Sequence, residues 1–230
     1  ILLFNNTRII MATRPVYHSL AHSPYYEQID TDFEFFSGFS TAQKQKCIQR
    51  LHKEYLSLYP NCNVLEISSK SLIPLGVSLS AFHLTLQNEN RIFSVECAFQ
   101  SSKVFENGGP YTDLLEKSPR DAKRDERLHE SGKLTAFRYF KEEFPLIPKD
   151  FFYNWLYLNA LCQNKKLMEE TLAYDSFTDI EFNPKKSITC QARSAAIFIG
   201  LSKQKLLEEA MSSRQKFLEI IYGKKTAEIL

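Results

Sequence analysis

Residues 95–105 read V-E-C-A-F-Q-S-S-K-V-F, and the chain is organised around this segment. Apolar side chains recur in it at three- and four-residue spacing, which predicts a helix with one buried face. Glu96, Gln100 and Lys103 lie four and seven positions apart and therefore share a second face of that helix. We predict that a carboxylate, an amide and an ammonium project together there, beside Phe99.

The chemistry of these three side chains has two interpretations. A carboxylate at the positive end of a helix dipole stays ionised, and with an amide and an ammonium it suits a site that binds a polar ligand and moves a proton. The alternative is a solvated helix face carrying a Glu and a Lys two turns apart, which the spacing alone favours. Sequence outside the helix is needed to choose between them.

A second run, S-P-R-D-A-K-R at residues 118–124, follows the first. Together the two runs resemble the signature of the NADAR/YbiA-like family, which typically shows S-E-H/x-x-F-Q-x-x-K-F and then S-P-x-x-A-x-R. The matching positions are Glu96, Phe99, Gln100, Lys103, Ser118, Pro119, Ala122 and Arg124. Within this resemblance the helix face is a candidate active site.

Three shorter matches extend the resemblance over roughly residues 64–201. Residues 79–82, L-S-A-F, fit the F/L-S-N-F run of the family except that Ala81 replaces the usual Asn, so the hydrogen bond of that Asn is in doubt. Asp179 is the counterpart of an acid in a later family loop whose Gly and Trp are missing here, and a simple turn acid is the alternative. Arg193 corresponds to an arginine at a helix start.

The polar loop after the predicted strand 64–67 is a further candidate for ligand binding. Backbone amides and hydroxyls that follow a strand, here with Ser69 and Lys70, can hold an anion. An ordinary loop with exposed serines is the alternative, and the pattern alone favours it.

Family members of known activity hydrolyse N-glycosidic bonds, in riboflavin-pathway intermediates or between ADP-ribose and guanine in nucleic acid. Residues 14–16, 39–46, 65–71 and 183–187 are closer to the second branch, which is associated with DarT-type toxins. The resemblance thus implies an ADP-ribosyl-guanine hydrolase that serves as an antitoxin, with DNA favoured over RNA and ADP-ribose as product. The alternatives are an N-glycosidase acting on a free nucleotide or riboflavin precursor, and an ADP-ribose-binding module without catalysis.

The resemblance also assigns expected roles to particular residues. Glu96 is the expected catalytic carboxylate, and either Lys103 or Lys70 could trap an opened ribose as a Schiff base. Trp155 or Tyr153 could stack on a base, although core packing is the simpler interpretation of both. The expected substrate-binding residues are Ser69, Ser80, Phe99, Gln100, Arg124, Trp155, Asp179 and Arg193.

Composition narrows the class of protein. The 230 residues are 43% hydrophobic and carry a net charge of +2, as expected of a folded chain whose charge neither demands nor excludes nucleic acid. Gly-rich nucleotide-binding motifs are absent, and no apolar run is long enough to span a membrane. The five cysteines and five histidines have no ligand spacing, so we expect a cytoplasmic protein with reduced thiols and neither metal nor cofactor.

The expected fold is mainly helical (α+β), a compact single-domain YbiA-like fold with a small β component. We expect residues 1–32 to be an irregular arm, of which 1–10 are upstream sequence, and 33–230 to be the NADAR-like catalytic domain. An irregular or extended connection is predicted over residues 74–82. Predicted strands cover 33–36, 64–67 and 83–93, and predicted helices cover 41–59, 95–106, 118–132, 149–164, 195–201 and 202–222.

Overall fold

The computed structural model describes residues 10–88, 90–185, 187–224 and 226, and its architecture is α+β. Residues 1–9, for which we expect upstream sequence, lie outside the described residues. The strands are β1 (Met11–Ser19), β2 (Tyr26–Glu34), β3 (Val64–Glu66), β4 (Thr85–Asn88), β5 (Arg91–Ser94), β6 (Lys103–Phe105), β7 (Leu134–Tyr139), β8 (Glu142–Phe144) and β9 (Ser176–Thr178).

The largest sheet has four strands in the order β2-β1-β9-β3, with β3 and β9 parallel and the other pairs antiparallel. The predicted irregular conformation of residues 11–32 is therefore wrong, because these residues form β1 and most of β2. Local sequence misled the prediction since serines and prolines indicate a loop, whereas β1 pairs with β2 along its whole length and with β9 at Tyr17 and His18. Val16 and Phe33 are fully buried within this sheet's core.

The helices follow the predictions in part. They are α1 (Thr41–Leu58), α2 (Pro74–Ser78), α3 (Val95–Ser101), α4 (Pro119–Lys123), α5 (Arg127–Glu130), α6 (Phe151–Gln163), α7 (Lys165–Thr171), α8 (Gln191–Lys203), α9 (Leu207–Met211) and α10 (Arg214–Tyr222). The β4–β5 hairpin, α1 and α6 are confirmed, but residues 74–78 are helical rather than extended. The predicted helices over 118–132 and 202–222 are each broken into two.

The helix at the centre of the prediction is shorter than expected. Its start is confirmed, because the Ser94 hydroxyl accepts a hydrogen bond from the backbone N–H of Cys97 at 3.1 Å. Its end comes at Ser101, because the next carbonyl, that of Ser102, accepts a bond of 2.7 Å from the N–H of Arg138 and the chain continues directly as β6. Lys103 is thus the first residue of β6, which pairs with β7. Strand β7 was not predicted from the sequence.

The core surrounds the helices that carry the candidate site. Helices α3 and α6 pack together, and α6 also packs on α8. Aromatic rings of α6 such as Phe151 and Phe152 are almost fully buried, and every residue of α8 from Ser194 to Leu201 is buried. Because these helices are held on all sides, the side chains that point into the cavity beside α3 have a rigid base. None of the helices in the described part of the chain is long and apolar enough to cross a membrane.

Candidate active site

A cavity of about 660 Å³ opens beside the first turn of α3. Its walls come from α3, α4 and α5, from the segments after α2, β3 and β9, and from Tyr153 of α6. The predicted site residues that line it are Ser69, Ser80, Glu96, Phe99, Gln100, Lys103, Arg124 and Asp179. Residues that lie far apart in the sequence are thus assembled around one pocket whose volume suits a nucleotide-sized ligand.

Glu96 lies in the wall of this cavity with only 5% of its surface exposed. Its Oε1 accepts a hydrogen bond of 2.8 Å from the Gln100 Nε2, one helical turn away. The Lys123 Nζ lies 3.6 Å from the same oxygen. The carboxylate is therefore held in place by an amide and a cation and sits in the first turn of α3, where the helix dipole favours a negative charge.

Gln100 has one satisfied and one unsatisfied polar atom. Its amide nitrogen is committed to Glu96, while its Oε1 is buried and has no hydrogen-bond partner among the described residues. Reversing the amide would bring its oxygen against the Glu96 carboxylate, so the observed orientation is the favourable one. A buried acceptor in this state costs free energy, and a donor on a bound ligand would remove that cost.

Lys103 reaches the same cavity from the start of β6. Its Nζ lies 5.1 Å from the centre of the Phe99 ring. Burial lowers the pKa of Lys103 to about 8; the Glu96 carboxylate opposes this shift and the Lys123 ammonium adds to it. About a tenth of this amine is therefore unprotonated at pH 7, far more than for an exposed lysine.

The rim of the cavity is cationic along α4. Arg120, Lys123 and Arg124 are exposed and line the cavity, and they stand three and four positions apart on one helical face. The helix begins as predicted, with the Ser118 hydroxyl accepting from the Asp121 N–H at 3.2 Å. The sequence shows these three residues as a basic cluster, but only Arg124 was predicted as a site residue.

Asp179 is an acid of the cavity wall that interacts with a second, buried acid, Glu66. Asp179 lines the cavity, and its Oδ1 accepts from the N–H groups of Glu181 and Phe182 at 3.0 and 3.1 Å. Glu66 lies beneath, fully enclosed, with its Oε1 accepting from the Ile180 N–H at 2.8 Å. Burial and the neighbouring Glu66 raise the pKa of Asp179 well above its ordinary value, which favours the protonated form of this side chain.

The side chain of Gln191 connects α8 to the cavity wall at Ala81, the residue that replaces the usual Asn of the resemblance. Gln191 Oε1 accepts from the Ala81 N–H at 2.7 Å, and Gln191 Nε2 donates to the Ile67 carbonyl at 2.6 Å. The Glu96 N–H in turn donates to the Ala81 carbonyl at 2.9 Å. The hydrogen bonds of the Ala81 backbone N–H and carbonyl therefore position α3 without a hydrogen bond from the side chain at residue 81. Next to it, the Ser80 hydroxyl donates to the Val77 carbonyl at 2.7 Å.

Comparison with known proteins identifies the family of this chain. The family model of the DarT1-associated NADAR antitoxins matches residues 12–229, nearly the whole chain. The chain belongs to this family. A search of the curated proteins finds no match. The NADAR resemblance of residues 95–105 and 118–124 is thereby confirmed, and membership supports an antitoxin role, an association with a DarT toxin and, at a coarse level, a hydrolase.

Three residues predicted for the site are not among those that line the cavity of this NADAR protein. Lys70 is half-buried, and its backbone N–H donates to the Ser68 hydroxyl at 3.1 Å. Trp155 packs on the core, with its ring centre 5.0 Å from that of Phe144. Tyr153, two residues earlier on α6, is the ring that reaches the cavity.

Arg193 is the third of these residues, and it is engaged elsewhere. Its Nη1 donates to Asp150 Oδ2 at 2.7 Å, and its Nη2 donates to the Ile188 carbonyl at 2.9 Å. The guanidinium also lies 5.4 Å from the ring centre of Tyr17 and 5.6 Å from that of Tyr26. These contacts tie α8 to α6 and to the four-stranded sheet.

One group of potential metal ligands occurs among the described residues, away from the residues that line the cavity. The ligand atoms of His18, Cys62 and Asp175 lie within 4.8 Å of one another. The Ser176 hydroxyl stands 2.9 Å from His18 Nδ1 and donates to Asp175 Oδ1 at 2.8 Å. Because this serine already bonds both groups, the cluster is accounted for as a hydrogen-bond network between β1 and β9.

Proposed function

We propose that this protein removes ADP-ribose from guanine bases of nucleic acid by hydrolysing the N-glycosidic bond, and that it thereby reverses a DarT-type toxin. The observation that carries the proposal is a buried Glu96 held by Gln100 and Lys123 at the side of an open cavity with a cationic rim. Within the proposal the chain has a YbiA-like fold, and its substrate is DNA rather than RNA. Its five unpaired cysteines support work in the reducing cytoplasm.

Binding in this proposal uses charge at the rim and aromatic surface inside. Arg120 and Arg124 bind the diphosphate of ADP-ribose or the neighbouring backbone phosphates, since guanidinium groups match phosphate geometry. Phe99 and Tyr153, whose ring centres are 5.1 Å apart, offer a surface against the ribose or base. The unpaired Oε1 of Gln100 accepts from a ribose hydroxyl.

The chemical step is hydrolysis at the anomeric carbon. Rupture of the carbon–nitrogen bond builds positive charge on the ribose, and the Glu96 carboxylate stabilises that charge. Glu96 then accepts a proton from the water whose oxygen bonds to the anomeric carbon. The electron pair of the broken bond goes to the guanine nitrogen. Asp179, with its raised pKa, is the group in the cavity wall able to return a proton to the base.

A variant of this mechanism uses a lysine as nucleophile. If the ribose ring opens, an unprotonated lysine amine adds to the anomeric carbon. The base then leaves, and the lysine and the sugar form a Schiff base. Water later hydrolyses this Schiff base and releases the sugar. Lys103 suits this role better than Lys70, because it lines the cavity and burial lowers its pKa to about 8.

Incubation with a guanine-ADP-ribosylated DNA oligonucleotide tests the proposal. We expect wild type to release ADP-ribose, and Glu96→Gln to lose roughly 10²- to 10⁴-fold of the activity, the usual share of a positioned acid–base group. Glu208→Gln, which neutralises an exposed acid on α9 outside the lining of this cavity, is the matched control and should keep full activity.

Two results would contradict the proposal. Cleavage of a free nucleotide or a riboflavin precursor, with the oligonucleotide left intact, would assign the site to small metabolites. Tight binding of ADP-ribose without turnover of any of these substrates would make the protein a binding module.

A further inference from the structure

A second cavity, of about 430 Å³, lies beside the first. Phe82 lines both cavities. The first turn of α3 separates them, because Glu96 lines the catalytic cavity whereas Cys97 lines the second one. The Lys123 Nζ lies 5.3 Å from the centre of the Phe82 ring and 3.6 Å from Glu96 Oε1, so Phe82 stands directly at the boundary of the proposed catalytic site.

The lining of the second cavity combines aromatic and apolar groups with two cations and one acid. Phe82, Phe93 and Ile92 provide the apolar surface, and Ile92 is 70% exposed. The charged residues are Arg91, Lys117 and Glu116.

These charged side chains differ in how far they are neutralised. Lys117 is bound to Asp125 at 2.8 Å. Arg91 lies 5.6 Å from the centre of the Phe140 ring and has no carboxylate within salt-bridge distance in the described part of the chain. Arg91 therefore leaves a positive charge at the mouth of a pocket that already contains an aromatic wall.

We propose that the second cavity binds the nucleotide that neighbours the ADP-ribosylated guanine in the same strand. The base stacks on Phe82 or Phe93 and its phosphate pairs with Arg91. Aromatic rings with a nearby arginine are the combination that binds single-stranded nucleic acid without strict sequence preference. A volume of about 430 Å³ falls in the range of small-ligand pockets, and continuity through Phe82 lets one strand occupy both cavities.

This inference rests on the proposed function. It narrows the proposed substrate of the enzyme to a strand of at least two nucleotides. A base stacked on an aromatic side chain contributes enough to change affinity by about tenfold or more. We therefore expect the modified dinucleotide to be cleaved with about tenfold higher kcat/KM than the modified nucleoside, with most of the difference in KM.

The test measures kcat/KM for ADP-ribosylated guanosine and for ADP-ribosylated dinucleotides carrying the extra nucleotide on the 5′ or the 3′ side. Wild type is compared with Arg91→Ala, which removes the charge, and with Ile92→Glu, which places a negative charge on an exposed position that folding does not require. Lys166→Ala removes an exposed positive charge from α7, far from both linings, and is the control.

The inference is supported if one dinucleotide is preferred, if both variants abolish that preference, and if cleavage of the nucleoside is unchanged. Equal cleavage of nucleoside and dinucleotides by wild type, or a preference that survives both variants, overturns the second cavity as a subsite while leaving the proposed function intact. Failure of wild type to cleave any of the modified guanines overturns the proposed function itself, and the subsite with it.

Discussion

The buried charge clusters around Glu96 and around Arg193 differ in how completely their charges are matched. Arg193 and Asp150 are 2.7 Å apart, and their side chains are 12% and 13% exposed. Glu96 is 3.6 Å from Lys123, whose side chain is 58% exposed, and it faces an open cavity.

The difference separates a structural pair from the pair that we propose for catalysis. Around Arg193, the Asp150 carboxylate neutralises the charge, and two tyrosine rings and a backbone carbonyl contact the guanidinium, although its buried Nε has no hydrogen-bond partner among the described residues. Around Glu96, the Gln100 oxygen has no partner and the Lys103 amine is partly unprotonated. Residue type alone made both clusters candidates for the site. Only the degree to which neighbouring groups neutralise their charges distinguishes them.

The largest effect is expected at the Arg193 cluster and concerns stability. Arg193→Met leaves Asp150 buried without its cation, which should lower the free energy of unfolding by about 3 kcal/mol, as broken buried pairs do. Urea unfolding measures this, and activity per folded molecule should stay near that of wild type. Arg120→Met, at an exposed arginine, is the control for stability. Unchanged stability together with lost activity would return Arg193 to the site.

An intermediate effect is expected at the rim of α4. Arg120→Ala and Arg124→Ala each remove a charged hydrogen-bond donor from the cavity, so KM should rise by about tenfold for each. The salt dependence of kcat/KM should also weaken, because fewer phosphates are neutralised. Arg138→Ala, at an exposed arginine outside the lining, is the control. A loss confined to kcat would contradict a binding role for the rim.

The smallest effect is a shift in the pH profile, which tests the Lys103 variant of the mechanism. If the free amine reacts, activity should rise with pH through about 8, the lowered pKa of Lys103. Lys123→Met removes a positive neighbour that disfavours the protonated amine, so the pKa of Lys103 should rise and the ascending limb should move to higher pH by about half a unit. A limb that stays in place, or moves to lower pH, would count against Lys103 as nucleophile.

Local sequence predicted the parts of the fold and site that depend on neighbours in the chain. Helix α1 carries its own periodicity, α6 is a run rich in aromatic and apolar residues, and Ser118 with Pro119 marks the start of α4. The four-residue spacing of Glu96 and Gln100 within one short helix was enough to predict their contact. The family runs supplied the link from this helix face to NADAR chemistry, which the family match confirms at the level of the family.

Tertiary structure decided what depends on partners distant in sequence. The β1–β2 pair joins the four-stranded sheet through β9, which pairs with β1, and α3 ends where β7 contacts the chain. Tyr153 and Trp155 have similar local signals, but two residues on a helix point about 200° apart, so only packing shows which ring reaches the cavity. Sequence therefore determined the chemical groups and their local spacing. The fold determined which charges at the cavity have no neutralising partner, because burial and neutralisation depend on contacts between distant segments.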